Sequence, residues 1–551
     1  MKKYDSIFMN GKIFTSDMEH PYAQAMAIKD GRIAAIGTDD EIAGLYGADL
    51  SAPNDADCSD RLDIIDLGGR RVIPGLIDSH MHPVMIADNM SQIVCLPPYI
   101  HSIEELIPAI AAKRKEQGPD QWILGWGYDE GKLAEGRTPT RYDLDKGADD
   151  VPVCIFRSCG HIRCVNSKAL ALAGITASTP DPAGGEIERD QNGEPTGVLK
   201  ENARFVMDKL IPQKTPEQIA QNLADLSKLF VSLGLTGISD MGNLDSTDYY
   251  DIYLAAREKG MVQKIGLFYM WDSFDDKSKI NLDPDRLRCD APVKVQGVKL
   301  ISDGGISGRT AWVNRPYPGG DGKECGICTC TEENMISAME FAKANKAQLA
   351  VHAMGQSAID MAVSVISREQ DWIDGSMPHA RIEHASMPTE YALKTAAESD
   401  IAFVTQPVFM YAEVERYMEN LGTDWFQHTF PMRNILNAGV TMAFSTDAPA
   451  TPIANAYDPF ICIKSAVTRI AGNGADCGQS QAVDIETAIR LYTAAGAQVM
   501  GFADTGVLKK GYLADFIILD RDILKIPADD IDKVKVDATY IDGKPVYHRI
   551  S

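Results

Sequence analysis

The sequence predicts an α/β fold: a (β/α)8 barrel of the TIM type, with a small β-sandwich built from both chain ends and a large insertion after barrel strand one. Three observations carry this. Eight short apolar runs in the middle of the chain alternate with helical patterns, which reads as βα units around a parallel sheet. Both ends are instead rich in hairpin signals. About 150 residues separate the first two candidate barrel strands, far more than a crossover needs.

In chain order, residues 1–70 alternate apolar runs with turns: Ser6–Met9, Asn10-Gly11, Lys12–Thr15, Ala25–Ile28, Asp30-Gly31 and Arg32–Ile36. Asn-Gly and Asp-Gly between such runs favour tight hairpin turns. The tail repeats the style in Ala514–Asp520, Val536–Ile541, Asp542-Gly543 and Lys544–Tyr547. Residues 1–70 and 498–551 are therefore expected to pair into one composite sandwich, with a barrel of 71–95 and 231–497 between them. The eight barrel strands are placed at 72–80, 235–240, 264–270, 297–303, 348–352, 380–384, 401–406 and 440–447. Thr331 is the expected N-cap of one crossover helix, with Ile336, Met339 and Phe341 towards the sheet. Residues 96–230 hold the insertion, with strands of their own at Trp122–Trp126 and Val151–Phe156. Leaving from the carboxyl end of strand one, it is expected to lie over the barrel mouth as a lid or substrate subdomain.

Composition removes several classes of function. Lys and Arg number 54 against 78 Asp and Glu, a net charge of −24, which repels phosphate backbones and argues against a nucleic-acid partner. No apolar run reaches the roughly 18 residues of a membrane span. The first residues lack the apolar core of a secretory signal. Eleven cysteines in 551 residues are too few for a disulfide scaffold, so a reduced, cytoplasmic setting is expected. Cys325, Cys328 and Cys330, with Cys289 upstream, lack a second pair at zinc-knuckle spacing and read as loop thiols.

The chemistry sits at the strand ends. Strand one finishes in His80-Met81-His82, whose imidazoles at i and i+2 share a face, with Pro83 following at once. Strand five ends in His352, strand six in His384 and strand eight in Asp447, while strand four carries Lys299 and then Asp303. In a parallel barrel the carboxyl end is where catalysis is done. Four of only ten histidines fall at these positions. Imidazoles with a carboxylate suit Zn²⁺ first, and Mn²⁺, Fe²⁺ or Ni²⁺ after it. Such a cation lowers the pKa of bound water from 15.7 towards about 7. Asp447 is then the natural general base, and the metal or His384 would polarise a substrate carbonyl.

These residues occur in runs that resemble a known family. Ile73-Pro-Gly-Leu-Ile-Asp-Ser-His-Met-His82, Val298–Gly304, Val351-His352-Ala, Ile382-Glu-His384, Ser445-Thr-Asp447-Ala-Pro and Gly511–Phe516 are similar to motifs of the amidohydrolase superfamily of metal-dependent hydrolases. Gly160-His161, Asn166–Leu170, Gly184-Gly185 and Glu194–Glu201 are similar to its YtcJ-like branch, amidohydrolase family 3, which includes enzymes acting on N-substituted formamides. The resemblance implies that His80, His82 and Asp447 bind a first metal, and His352 and His384 a second metal or a substrate oxygen. Lys299 matches a lysine that many members carboxylate to bridge two ions, the alternative being an unmodified amine facing the core or Asp303. His161, between Cys159 and Cys164, is expected to touch substrate or to pack within the insertion. Arg309 would meet a polar substrate group or form a surface ion pair. Asp303, Trp126 and Tyr128 complete the candidate substrate set, with the aromatics (Trp312 among them) alternatively core. The implied activity is hydrolysis of a non-peptide carbon–nitrogen bond, an amide or N-acyl group of a small molecule. Its rivals are a deaminase of an aminated heterocycle on one metal, and a non-catalytic scaffold, which the complete ligand set disfavours. A homodimer is the family-level expectation.

Overall fold

The computed structural model describes residues 5–45, 63–118, 121–158, 162–319, 322–373, 375, 377–451 and 453–550. The apolar runs of the middle pair in parallel, each with its neighbour in sequence: β1 (Leu76–Met81), β2 (Leu235–Asp240), β3 (Lys264–Met270), β4 (Val293–Ile301), β5 (Gln348–Ala353), β6 (Ala380–His384), β7 (Ile401–Thr405) and β8 (Met442–Phe444). Just past β8 the sheet closes on β1. The Asp447 N–H donates to the His80 carbonyl at 2.7 Å, and the His82 N–H to the Ala448 carbonyl at 2.8 Å. This is a (β/α)8 barrel.

Three elements differ from their sequence reading. The run expected as one strand over 72–80 is two: Arg71–Pro74 pairs in another sheet, and only Leu76–Met81 joins the barrel. Gly75 makes the step, because a Cβ there would lie 2.3 Å from the Thr236 side chain. The last strand is short, since the chain leaves regular pairing at Ser445 and takes a φ of 54° at Asp447. Helix Glu332–Ala344 starts at the expected cap, Thr331 Oγ1 accepting from the Asn334 N–H at 3.2 Å. Its buried face, however, is Met335, Ala338, Met339 and Ala342, while Ile336 and Phe341 are only half-buried. The stripe at i, i+3, i+4, i+7 is the one a 3.6-residue period lays on one side.

The barrel interior is filled in layers. At the bottom, helix Ala494–Met500 packs Ala497 and Met500 on Ile77 of β1, and Val499 on Ala402, Val404 and Ala443. The last carbonyls of that helix have no intrahelical partner, and inward side chains satisfy them. Gln348 Nε2 donates to Val499 O, Gln296 Nε2 to Met500 O and Lys294 Nζ to Gly501 O. Met241, Phe268 and Ala350 form the middle layer. The strand ends above them carry the polar cluster described below.

The two chain ends meet in one sheet. A six-stranded sheet orders 544–548, 536–541, 516–519, 71–74, 12–14 and 22–23, and a four-stranded sheet orders 32–37, 25–29, 6–9 and 63–66. Phe8, Ile13, Met26, Ile33 and Val72 share one core with Phe516, Ile518, Ala538 and Tyr540.

Residues 84–222, with 452–456, form a second compact unit. Its six-stranded sheet runs from 185–189 through 195–201, 162–165, 153–157 and 123–128 to 93–94. Alternate residues feed two cores: Val153, Ile155 and Cys164 on one face, Cys154 and Val165 on the other. Among the described residues no helix is long and apolar enough to cross a membrane. The nine described cysteines are all free thiols.

Candidate metal centre

Each polar residue at the barrel mouth is set there by a specific backbone feature. On β4, Lys294 and Gln296 face inward at a spacing of two, so strict alternation would send Lys299 outward. A bulge opposite Leu267–Phe268 inserts one residue and restores Lys299 to the inward face. On β6 the inward residues are Arg381 and Glu383, and His384 follows with a φ of 71°, which swings its ring to the mouth. Non-glycine residues at positive φ are held only where the surroundings compel them, and His384, Ala385 and Asp447 are all of this kind.

The cluster is tight. His80 Nε2 lies 3.2 Å from Asp447 Oδ1, and His82 Nε2 is 3.2 Å from the same oxygen. Lys299 Nζ is 3.2 Å from His80 Nε2. The ligand atoms of His80, His384 and Asp447 all fall within 4.8 Å of one another. His352 lies edge-on beside them, its ring 4.3 Å from that of His384, with Nε2 3.4 Å from Asp303 Oδ1.

The donor set fits a cation. Glu383 Oε2 meets His80 Nδ1 at 2.5 Å, and a carboxylate can only accept, so the proton sits on Nδ1 and Nε2 presents a lone pair. The His82 Nδ1 proton goes to the Gly242 carbonyl at 3.3 Å. The His384 Nδ1 proton goes to Gln406 Oε1 at 2.8 Å, with that amide oriented by its own bond to Ser445 Oγ at 2.9 Å. Nε2 lone pairs of His80 and His82 thus face Asp447 Oδ1, a buried oxygen with no hydrogen-bond donor. Acceptors facing acceptors repel unless something positive lies between them.

Electrostatics agree. Burial holds His352 down to about 4, with Lys299 adding to it, and burial together with His352 holds His384 well below its usual value. Both are neutral imidazoles, the form that ligates metals. Burial alone would raise the Asp447 carboxyl, and positive charge on its His80 and His82 side, which a cation between them would supply, holds it well below the ordinary range. Burial also lowers Lys299, partly offset by Glu383 and Asp447.

The other sequence candidates have their own surroundings. Asp303 is buried and accepts the backbone N–H groups of Trp312 (2.9 Å), Met354 (3.0 Å) and Gly355 (2.8 Å), tying the loop after β4 to the end of β5. Burial raises it to about 7. Arg309 pairs with Glu324 at 2.7 Å and donates twice to Pro318 O. Trp126 and Tyr128 belong to the second unit, Tyr128 inside its core with Ile103 and Leu106. His161 lies outside the described residues. Cys328 and Cys330 donate to the nearby carbonyls of Cys330 and Thr331.

Sequence reasoning missed Glu383, Arg381, Gln406 and Gly242, which orient the imidazoles. For the first two a signal existed: Arg381-Ile-Glu383 places opposite charges on one face of an apolar strand with no exposed side to use them.

Known proteins resemble this chain over its whole length. The profile of the Amidohydrolase family matches residues 63–547. YtcJ of Bacillus subtilis (strain 168) is 28% identical over 99% of both chains. The N-substituted formamide deformylase of Arthrobacter pascens is 29% identical, over 99% of this chain and 98% of its own. Among solved structures, an uncharacterized metal-dependent hydrolase from Pyrococcus horikoshii OT3 superposes with a TM-score of 0.74 at 26% identity, covering 95% of this chain and 99% of that one. The barrel, the convergent imidazoles and these full-length likenesses lead to one conclusion: the chain belongs to the amidohydrolase family, hydrolases of carbon–nitrogen bonds.

Proposed function

We propose that this protein hydrolyses a non-peptide amide or N-acyl bond of a small molecule, such as an N-substituted formamide. The observation that carries the reading is the convergence of His80, His82 and Asp447 on one oxygen, each imidazole with its outer nitrogen already engaged. His80, His82 and Asp447 would hold one zinc ion, and His352, His384 and a carboxylated Lys299 a second. A bound divalent cation supplies Lewis acidity, polarising a carbonyl oxygen and lowering the pKa of water towards about 7.

The chain's own groups do the rest. Asp447, ionised and buried, accepts the proton of the attacking water as its oxygen bonds to the carbonyl carbon. It then returns that proton to the nitrogen as the C–N bond breaks, so an acid and an amine leave. His384, its Nδ1–H held by Gln406, turns a bare Nε2 to the same space and would hold the cation that polarises the carbonyl oxygen. Lys299 is suited to carboxylation because burial favours its neutral amine, which is the form that adds CO₂. Specificity is assigned to the inserted residues 96–230 and, separately, to the barrel loop after β4 that carries Asp303 and Arg309. The free thiols fit a cytoplasmic protein, and a homodimer is the assembly we expect.

The test has two arms. Metal analysis of the purified protein is expected to give up to two zinc per chain, with Lys299 labelled by ¹³C-bicarbonate. A panel of N-acyl amines and N-substituted formamides is expected to release amine. Ammonia from aminated heterocycles, with one metal and unmodified Lys299, would instead make it a deaminase, and a protein that takes up no metal would be a scaffold.

A further inference from the structure

Directly beneath the ligand cluster lies an ion pair that the reaction above does not use. Arg381 and Glu383 sit two apart on β6, both fully buried. The Arg381 guanidinium donates from Nη2 to the Ser79 carbonyl at 2.5 Å and to Met241 Sδ at 3.7 Å, and lies 5.4 Å from the Phe268 ring centre. Ser79 is on β1, Met241 directly follows β2 and Phe268 is on β3. None of these strands neighbours β6 in the sheet, so the contacts run through the barrel interior. Arg381 holds Glu383 through both Nε and Nη2, and Glu383 Oε2 reaches His80 Nδ1 at 2.5 Å. Arg381, Glu383 and His80 thus form one chain of charge-assisted bonds ending at a ligand nitrogen.

A buried ion pair is a poor device for stability, because desolvating both charges offsets their attraction, and apolar residues of similar volume often do as well. What the pair does supply is direction. We propose that Arg381 and Glu383 are positioning residues for the cation: Arg381 aims Glu383, and Glu383 fixes the His80 proton on Nδ1, so that Nε2 is always the bare nitrogen facing Asp447. The inference rests on the metal-centre reading above. An acceptor on the outer nitrogen both selects the tautomer and raises the basicity of the ligating one, and losing such a partner typically weakens metal binding 10–100-fold. A neutral amide in place of Glu383 can turn its NH₂ to Nδ1, which moves the imidazole proton to Nε2 and points it at the cation.

The test uses the full chain, stripped of metal and titrated with zinc against a chromophoric chelator. Two variants are compared with wild type: Glu383→Gln, and the double variant Arg381→Met/Glu383→Leu, which replaces the pair by apolar side chains. Both are expected to raise the zinc dissociation constant 10–100-fold, while the zinc-free double variant melts close to wild type. A folded Glu383→Gln that binds zinc as tightly as wild type overturns the inference and leaves the metal centre standing. A wild type that takes up no divalent cation overturns both. Should neither variant fold, a crystal structure of the zinc-loaded wild type decides: Glu383 on His80 Nδ1 supports the inference, and Glu383 withdrawn from it overturns it.

Discussion

At the residue scale the site depends on where three protons are not. Asp447 must be ionised to accept a proton, and the Nε2 atoms of His80 and His82 must be bare to hold a cation. Asp447→Asn keeps the shape and removes the charge. It is expected to lower kcat roughly 10²–10⁴-fold with melting nearly unchanged, and retained turnover of a formamide or N-acyl substrate would remove Asp447 from the role of base. His80→Ala is expected to lower bound metal per chain in elemental analysis, and unchanged stoichiometry would show that the His-x-His pair is not a ligand set. The candidate ligands stand out in the sequence because they are scarce residue types at strand ends. Two of the groups that orient them do not. Gly242 acts through its carbonyl, which any residue would offer, and Gln406 is an ordinary amide until His384 is placed 2.8 Å from it. The positive φ that carries the His384 ring to the mouth leaves no mark in a pattern of apolar residues.

At the scale of the element, the barrel was legible because eight apolar runs of strand length recur between helical patterns. The register inside a run was not. The bulge on β4 depends on how closely two backbones approach, and Gly297 is the residue that permits it: a Cβ there would lie 1.8 Å from the Gln348 carbonyl oxygen. Gly297→Ala must push β4 from β5 and carry Lys299 with it. The expected cost is about 1–3 kcal/mol, as for other overpacked cores, with zinc uptake falling alongside. A variant melting like wild type would mean that the bulge absorbs the methyl group. Helix Pro459–Thr468 gives a pH prediction away from the site. Its N-cap, Asp458, accepts the Phe460 N–H at 3.0 Å, and burial pushes its carboxyl up to about 6. A carboxyl raised in the folded state binds its proton more tightly there than in the unfolded chain. Folding is therefore favoured by it near pH 4, and that contribution is lost as pH rises through about 6. Asn caps a helix as well as Asp and carries no charge. Asp458→Asn is thus expected to raise stability at pH 8 by about 1–3 kcal/mol and to gain nothing near pH 4. Denaturant midpoints at the two pH values check this, and a gain independent of pH would show that charge is not the cause.

At the scale of the whole molecule, the shared turn chemistry of both ends is what suggests their partnership, although about 450 residues separate the halves of one apolar core and no local pattern shows which strands meet. What joins that core to the barrel is compact. Arg71–Pro74 pairs with Phe516–Leu519 in the end sheet, and after Gly75 the same chain becomes β1. A second link is ionic: Lys264 at the start of β3 meets Asp515 at 2.7 Å, and Asp515 is buried, accepting also from Thr505 Oγ1 at 3.0 Å and the Asp542 N–H at 2.8 Å. Removing one partner of such a pair strands the other, since Lys264 retains only Asp542, at 3.3 Å. Asp515→Ala is expected to cost about 3 kcal/mol, near the lower end for a broken buried pair. Because the two cores share one strand-to-strand step, the loss should not stay in the end sheet. Hydrogen exchange is expected to quicken in both Phe516–Leu519 and Lys264–Met270, the latter leading directly into the layer beneath His80. Faster exchange confined to Phe516–Leu519 would mean that the barrel holds its metal centre without help from the chain ends.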